Sequence, residues 1–406
     1  MAKLKELKGN MLIAQSGGPT AVINQTLVGA VLEARKHACI ENVYGAKHGI
    51  QGILDEDFVN LGKETVANLE KVAQTPSSAL GSVRKKPTEE DCAKIFEVLR
   101  KYNVRYFYYI GGNDSAETTH IINQAARKAK FDFRCFHLCK TIDNDLRQND
   151  HTPGFGSAAR FVASAFMGDN QDNRALGGVK INVVMGRHAG FLTGAAALAR
   201  VHPGDGPHLI YLPERPFSMA RFAKDVKKVM KDQGRCVVAV SEGICDGKGR
   251  PIIAAHSKEV DSHGNLQLSG TGALGDILAG ELKRRTGISR VRADTFGYLQ
   301  RSFAGIVSYT DAQEARGVGV AGVQFSVKEF ADGSVAIQRK KSSRYGVNFA
   351  RVSLKSVAKE TRHMPDAFIH PDGNQVTDAF IEYVKPLVGP LPPMGRLKEI
   401  PVKKLK

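Results

Sequence analysis

Cys139-Lys140-Thr141-Ile142-Asp143-Asn144-Asp145 follows the apolar run Phe131 to Leu138. That run is short and rich in aromatic and aliphatic residues, so it reads as a buried strand. The Lys-Thr-x-Asp-x-Asp set then falls where the strand ends. In an open α/β sheet, ligands bind in the crevice outside the carboxyl ends of the strands. An ammonium, a hydroxyl and two carboxylates suit phosphoryl transfer there. One carboxylate can take a hydroxyl proton, the donors can hold phosphate oxygens, and an oxygen can ligate Mg²⁺. Taken alone, the stretch is equally an Asx-rich turn. Its neighbours decide between the two.

Upstream, Met11 to Ala14 is a short apolar strand running into Gln15-Ser16-Gly17-Gly18-Pro19 and a periodic helix, Val22 to Arg35. Strand, Gly-rich turn and helix aim backbone N–H groups at an anion. No Walker A lysine and no Gly-x-Gly-x-x-Gly follow, so a dinucleotide-dependent oxidoreductase is disfavoured. Val43 to Lys47 is the next strand. The loop Ser77 to Pro87 carries Arg84, Lys85 and Lys86. A helix, Glu89 to Tyr102, leads to the strand Val104 to Ile110. That strand ends in Gly111-Gly112-Asn113-Asp114-Ser115 and a further helix, Ala116 to Lys128. Alternating β and α segments predict an α/β chain with mostly parallel sheets. Polar turns at successive strand ends can then converge on one crevice.

Downstream, Thr152 to Ser157 opens a helix, Ala158 to Met167. The strand Gly177 to Val184 ends at Met185-Gly186-Arg187-His188, and a small-residue helix, Phe191 to Ala199, follows. Strand His208 to Leu212, helix Ser218 to Gln233 and strand Cys236 to Val240 lead to Ser241-Glu242-Gly243. After the helix Gly272 to Thr286, Arg290 to Arg301 reads as a strand carrying Arg292 and Arg301 near its ends. Thr310 to Val320 and Ala379 to Val384 read as helices.

The chain has 406 residues, enough for two domains with large cores. Its net charge of +17, from 58 Lys+Arg against 41 Asp+Glu, favours anionic partners. The concentrated basic run is the tail, Arg396 to Lys406. Aromatic residues are not interleaved with the cations, so a nucleic-acid partner is not expected. No apolar run approaches the ~18 residues of a membrane span, and Met1 to Gly9 is not followed by a signal-type core. The six cysteines are scattered. Cys135-x3-Cys139 flanks His137, but no second ligand pair stands at finger-like spacing, so buried free thiols in a reducing cytosol are expected.

The Gly-Gly-x-x-Ser turn, Thr-Ile-Asp-Asn-Asp, Met-Gly-Arg, Ser-Glu-Gly and the late Gln-Arg stand in this order from about Met11 to Arg301. In that set the chain resembles the phosphofructokinase family. The resemblance implies two Rossmann-like three-layer domains with the active site in the cleft between them. Residues 1–154 plus about 300–345 would form the phosphoryl-donor domain. Residues 155–299 plus about 346–406 would form the sugar-phosphate domain. The implied reaction is phosphoryl transfer to the 1-hydroxyl of fructose 6-phosphate, with Mg²⁺ as cofactor.

By position, Asp143 matches the family's base, with Thr141 and Asp145 as substrate and transition-state contacts. Met185, Gly186, Arg187, Glu242, Arg292, Tyr298 and Arg301 match the sugar-phosphate site. Tyr298 replaces a His of many ATP users. Gly178 replaces an Arg, for which Lys180 is a candidate substitute. Gly17, Gly18, Arg84, Gly112 and Ser115 match the donor site. Asn113 stands where the family often has a metal-linked Asp, which leaves Asp114 as the candidate Mg²⁺ ligand.

ATP-using members have a small residue where this chain has Asp114, and a glycine where it has Lys140. Glycines leave room for a nucleotide, whereas a carboxylate and an ammonium fill that space. The pair is the pattern of the pyrophosphate-dependent branch, so pyrophosphate is the expected donor and near-reversible chemistry is expected with it. An ATP-dependent enzyme and a non-catalytic polyanion binder are the rival expectations. The resemblance also implies a homodimer or homotetramer in which an adjacent subunit lends Arg292 or a neighbour.

Overall fold

The computed structural model describes residues 7–85, 87–255, 272–329, 332–358 and 361–405. Lys86 and residues 1–6 lie outside them. Among the described residues, eleven strands form two sheets. The first contains β1 (Gly9–Gln15), β2 (Ile40–Ala46), β3 (Phe58–Asn60), β4 (Val104–Gly111) and β5 (Arg134–Cys139), joined late in the chain by β10 (Gly333–Arg339) and β11 (Val347–Val352). The second contains β6 (Gly178–Val184), β7 (Leu209–Tyr211), β8 (Arg235–Ser241) and β9 (Val291–Thr295).

The first sheet has the order β11-β10-β5-β4-β1-β2-β3, and only its two edge pairs, β10/β11 and β2/β3, are antiparallel. Side chains on a strand alternate between faces. Met11 and Ile13 of β1 and Tyr106 and Tyr108 of β4 therefore pack on one face, with Leu27 and Val31 of the helix Ile23–Ala34. Leu12, Ala14, Phe107 and Tyr109 pack on the other, with Ile95 and Leu99 of the helix Glu89–Lys101. Burial on both faces is why these strands read as unbroken apolar runs. The second sheet, β7-β8-β6-β9, is wholly parallel and is likewise covered on both faces. The fold is α/β with mostly parallel sheets.

β1 pairs with β2 on one side and β4 on the other. The connection after β1 leads to β2 on one side and that after β4 to β5 on the other, so the crevice opens at the carboxyl ends of these two strands. The turns after β1, β4 and β5 all empty there.

Several segments differ from the sequence expectation. Arg290 to Arg301 is not one strand: β9 ends at Thr295, and Gly297, at φ +52°, turns the chain into a short 3₁₀ segment, Gly297–Arg301. The helix expected over Ala158 to Met167 spans Phe155–Leu176. β11 pairs antiparallel with β10, so residues 347–352 belong to the first sheet and not with the segment from about 346. The antiparallel ladder carries them back along β10.

Candidate active site

The loop after β5 begins with Lys140, whose backbone N–H donates to Gly111 O at the end of β4 (2.9 Å). Its side chain is buried and crosses to the β1 turn, where Nζ donates to Gly18 O at 2.5 Å. A Cβ on Gly18 would stand 3.1 Å from the Arg301 guanidinium, so that cation lies over the same turn. Burial pushes the Lys140 ammonium down to about 7, and Arg301 and Arg84 add to the effect. An incoming phosphate anion would pull it back up.

Gly111 lets β4 run directly into the helix Asn113–Lys128. A Cβ there would fall 1.9 Å from Ser115 Oγ and 2.5 Å from Ser16 Oγ. Those hydroxyls bond each other at 2.5 Å, which knits the β1 and β4 turns together. The first turn of the helix, with Asp114 exposed, faces the crevice. Its N–H groups and dipole favour an anion.

Asp143 N donates to Thr141 Oγ1 (3.1 Å), and Thr141 O accepts from Thr152 Oγ1 (2.9 Å). These bonds fold the loop so that both carboxylates face inward. Asp143 Oδ1 is buried with no hydrogen-bond partner. Burial pushes the Asp143 carboxyl above the ordinary range, although Arg301, Lys140, Arg187 and Arg84 pull against it. Asp145 is pushed up too, by burial and then by Asp143. Asn113 Nδ2 donates to Asp145 Oδ2 at 3.3 Å.

From the second sheet, the β6 turn presents Met185 and Arg187, and the β8 turn presents Glu242. A Cβ on Gly243 would come within 2.0 Å of Arg187 O. Gly243→Ala should therefore push the Arg187 loop out of place. A fall in Tm and a rise of about tenfold in the KM of the substrate bound at this turn are expected, both readable from melting and steady-state curves. Unchanged KM values in folded protein would show that the loop touches no substrate. Arg301 stacks on Tyr298, with Cζ 4.5 Å from the ring centroid.

These groups line one crevice of about 420 Å³. It contains every site residue expected from sequence except Gly186 and Arg292. Gly186 lies behind the lining, where its carbonyl accepts from Ser241 Oγ (2.6 Å). Arg292 is exposed on β9, and its Nη1 donates to Val291 O. It stands three residues before the strand's carboxyl end, which is about 10 Å of strand. Lys180 is no free substitute cation, because it is ion-paired with Asp294 and lies 3.9 Å from Asp169. Thr361 and His188 line the crevice without having been singled out. Thr361 arrives through an isolated bridge to Leu146, a pairing with no local sequence signal.

Cys135 and Cys139 are buried free thiols. Among the described residues no three His, Cys, Asp or Glu side chains cluster as a metal cage. No helix of the described residues is long and apolar enough to cross a membrane.

The phosphofructokinase family model matches residues 10–326. The chain belongs to the phosphofructokinase family. A phosphofructokinase relative from Rhodospirillum rubrum, a pyrophosphate–fructose 6-phosphate 1-phosphotransferase, is 56% identical and covers 98% of this chain and 99% of its own length. One of the same name from Xanthomonas campestris is 39% identical over 94% of this chain and 91% of its own length. The solved structure of the pyrophosphate-dependent phosphofructokinase of Nitrosospira multiformis superposes with a TM-score of 0.84 at 32% identity, covering 97% of this chain and 95% of that one.

Proposed function

We propose that this phosphofructokinase catalyses reversible transfer of a phosphoryl group from pyrophosphate to the 1-hydroxyl of fructose 6-phosphate. The products are fructose 1,6-bisphosphate and orthophosphate. One observation carries the choice of donor. The Lys140 ammonium lies across the Gly17–Gly18 turn, 2.5 Å from Gly18 O, at a position where ATP-using members have only a glycine. Asp114 lines the same crevice. A bare diphosphate needs only the cations and N–H groups at that turn. The names of the relatives from R. rubrum and X. campestris support the same reading.

In the forward step the sugar's 1-hydroxyl oxygen attacks the terminal phosphorus of pyrophosphate. Asp143 takes the hydroxyl proton, the bridging P–O bond breaks, and orthophosphate leaves. Lys140, Arg84 and Arg301 face the charge spread over the transferring group. Glu242 and Arg187 hold the sugar phosphate, and Arg292 reaches it from an adjacent subunit of a homodimer or homotetramer. The exposed Asp114 and the half-buried Asp145, both on the crevice wall, fit Mg²⁺. That ion commonly uses one or two carboxylates together with phosphate oxygens. Bound there, Mg²⁺ would neutralise charge on the pyrophosphate.

The donor site belongs to a domain of residues 1–154 and about 300–352, and the sugar site to the remainder. The cysteines, all free thiols, suit the cytoplasm.

The test is orthophosphate release from pyrophosphate with and without fructose 6-phosphate, with ATP as a parallel donor. Release that depends on the sugar phosphate, with ATP inert, is the expected result. Turnover with ATP and none with pyrophosphate would overturn it.

A further inference from the structure

We propose that Tyr383 and Arg362 are positioning residues for this reaction: they hold the Asp143–Asp150 loop from behind and so set where the Asp143 carboxylate stands. The inference rests on Asp143 as the base.

Asp143 Oδ1 has no hydrogen-bond partner, so the placement of that oxygen depends on the loop backbone. That backbone carries an unusual residue between the two carboxylates. Asn144 stands at φ +60°, in the left-handed region that Asn and Gly tolerate best. Its side chain is wholly buried, and Nδ2 donates to Tyr383 Oη at 2.8 Å. Tyr383 Oη in turn donates to Asp150 O at 2.7 Å. One hydroxyl therefore ties the start of the loop to its far end.

Arg362 grips the same loop at three points, one of them a bond from its Nη1 to Asn149 O. Its backbone N–H donates to Asp145 O (2.7 Å) and its Nη1 to Asp150 O (2.7 Å). The guanidinium also rests over the Phe191 ring, 4.6 Å from the centroid. The residues that follow fix Arg362 to the sugar side. His363 Nδ1 donates to His188 O (2.7 Å), and Met364 N donates to Glu214 Oε1 (2.9 Å). Glu214 Oε1 also accepts from Gly190 N (2.9 Å). A single short segment thus joins the base's loop to the loop that carries Arg187.

A hydrogen bond that served only global stability would leave the turnover of folded enzyme unchanged. One that aims the base would not, because misplacement by about 1 Å can cost up to a hundredfold. Tyr383→Phe keeps the ring and removes the hydroxyl. Its kcat should fall about tenfold, with both KM values within about twofold. Amide hydrogen exchange over residues 143–150 should quicken. Asn144→Gly keeps the positive φ and removes the amide. The double variant should lose no more kcat than the worse single, because both break one link.

Unchanged kcat and exchange in folded Tyr383→Phe, or losses that multiply in the double variant, would overturn the proposal. Should the unaltered chain turn over no pyrophosphate, the functional assignment falls. The exchange measurement then still decides whether Tyr383 holds the loop.

Discussion

Asp143→Asn is expected to lower kcat by about a thousandfold, within the range found for loss of a positioned base, with KM for both substrates nearly unchanged. The amide keeps the shape of the carboxylate but takes no proton from the sugar hydroxyl. An alcohol is a weak nucleophile, so the step loses its assistance at the point where the proton must leave. Burial raises the Asp143 carboxyl against the pull of Arg301, Lys140, Arg187 and Arg84. A base raised toward the working pH is the stronger base for the task. The rate should therefore rise with pH along a limb lying above the ordinary carboxylate range, and the Asn variant should lose that limb.

Stability should move the other way. A carboxyl whose folded pKa lies above its unfolded one supports the fold only while it is protonated, and that support fades as pH rises through the folded value. At neutral pH the ionised group weighs against folding, and asparagine carries no such charge. The variant's Tm should be equal or higher, a common exchange between stability and activity. A kcat left intact would remove Asp143 as the base.

The site was legible wherever chemistry and strand ends coincide locally. β1 and β4 announce themselves as apolar runs because both faces are buried, and their glycine turns follow at once. The Lys140–Asp145 motif sits at the end of β5 for the same reason. Legibility stops where contacts span the chain. Asn144 meets Tyr383 across 239 positions, and the Thr361 bridge to Leu146 has no periodicity to betray it. Lys180 invited a role by its charge, and only the fold shows Asp294 and Asp169 closing around it. The Arg290 to Arg301 stretch failed as a strand because Gly297, at a left-handed φ, ends it early. That break is productive: it swings Arg301 off the sheet and over the Gly18 turn.

The double change Asp114→Gly with Lys140→Gly should lower kcat/KM for pyrophosphate by about a hundredfold or more, while ATP turnover becomes measurable. Lys140 brings a buried ammonium from the end of β5 to the donor turn, where it donates to Gly18 O. Its removal takes away a cation from the transferring group and opens the volume between the β1 and β4 turns. Asp114 stands exposed at the first turn of the helix Asn113–Lys128, where its charge would repel a nucleotide's inner phosphate. The two changes act on different terms, room and charge, so neither single variant should confer ATP use as well as the pair. Lys140 also holds the Asp143 carboxyl down. Without it, that pKa rises further and the acid limb of the rate profile should move to higher pH. The profile separates a lost phosphate contact from a damaged base: the first lowers the plateau, the second shifts the limb. Pyrophosphate turnover that survives the double change intact would show that donor choice lies elsewhere in the crevice.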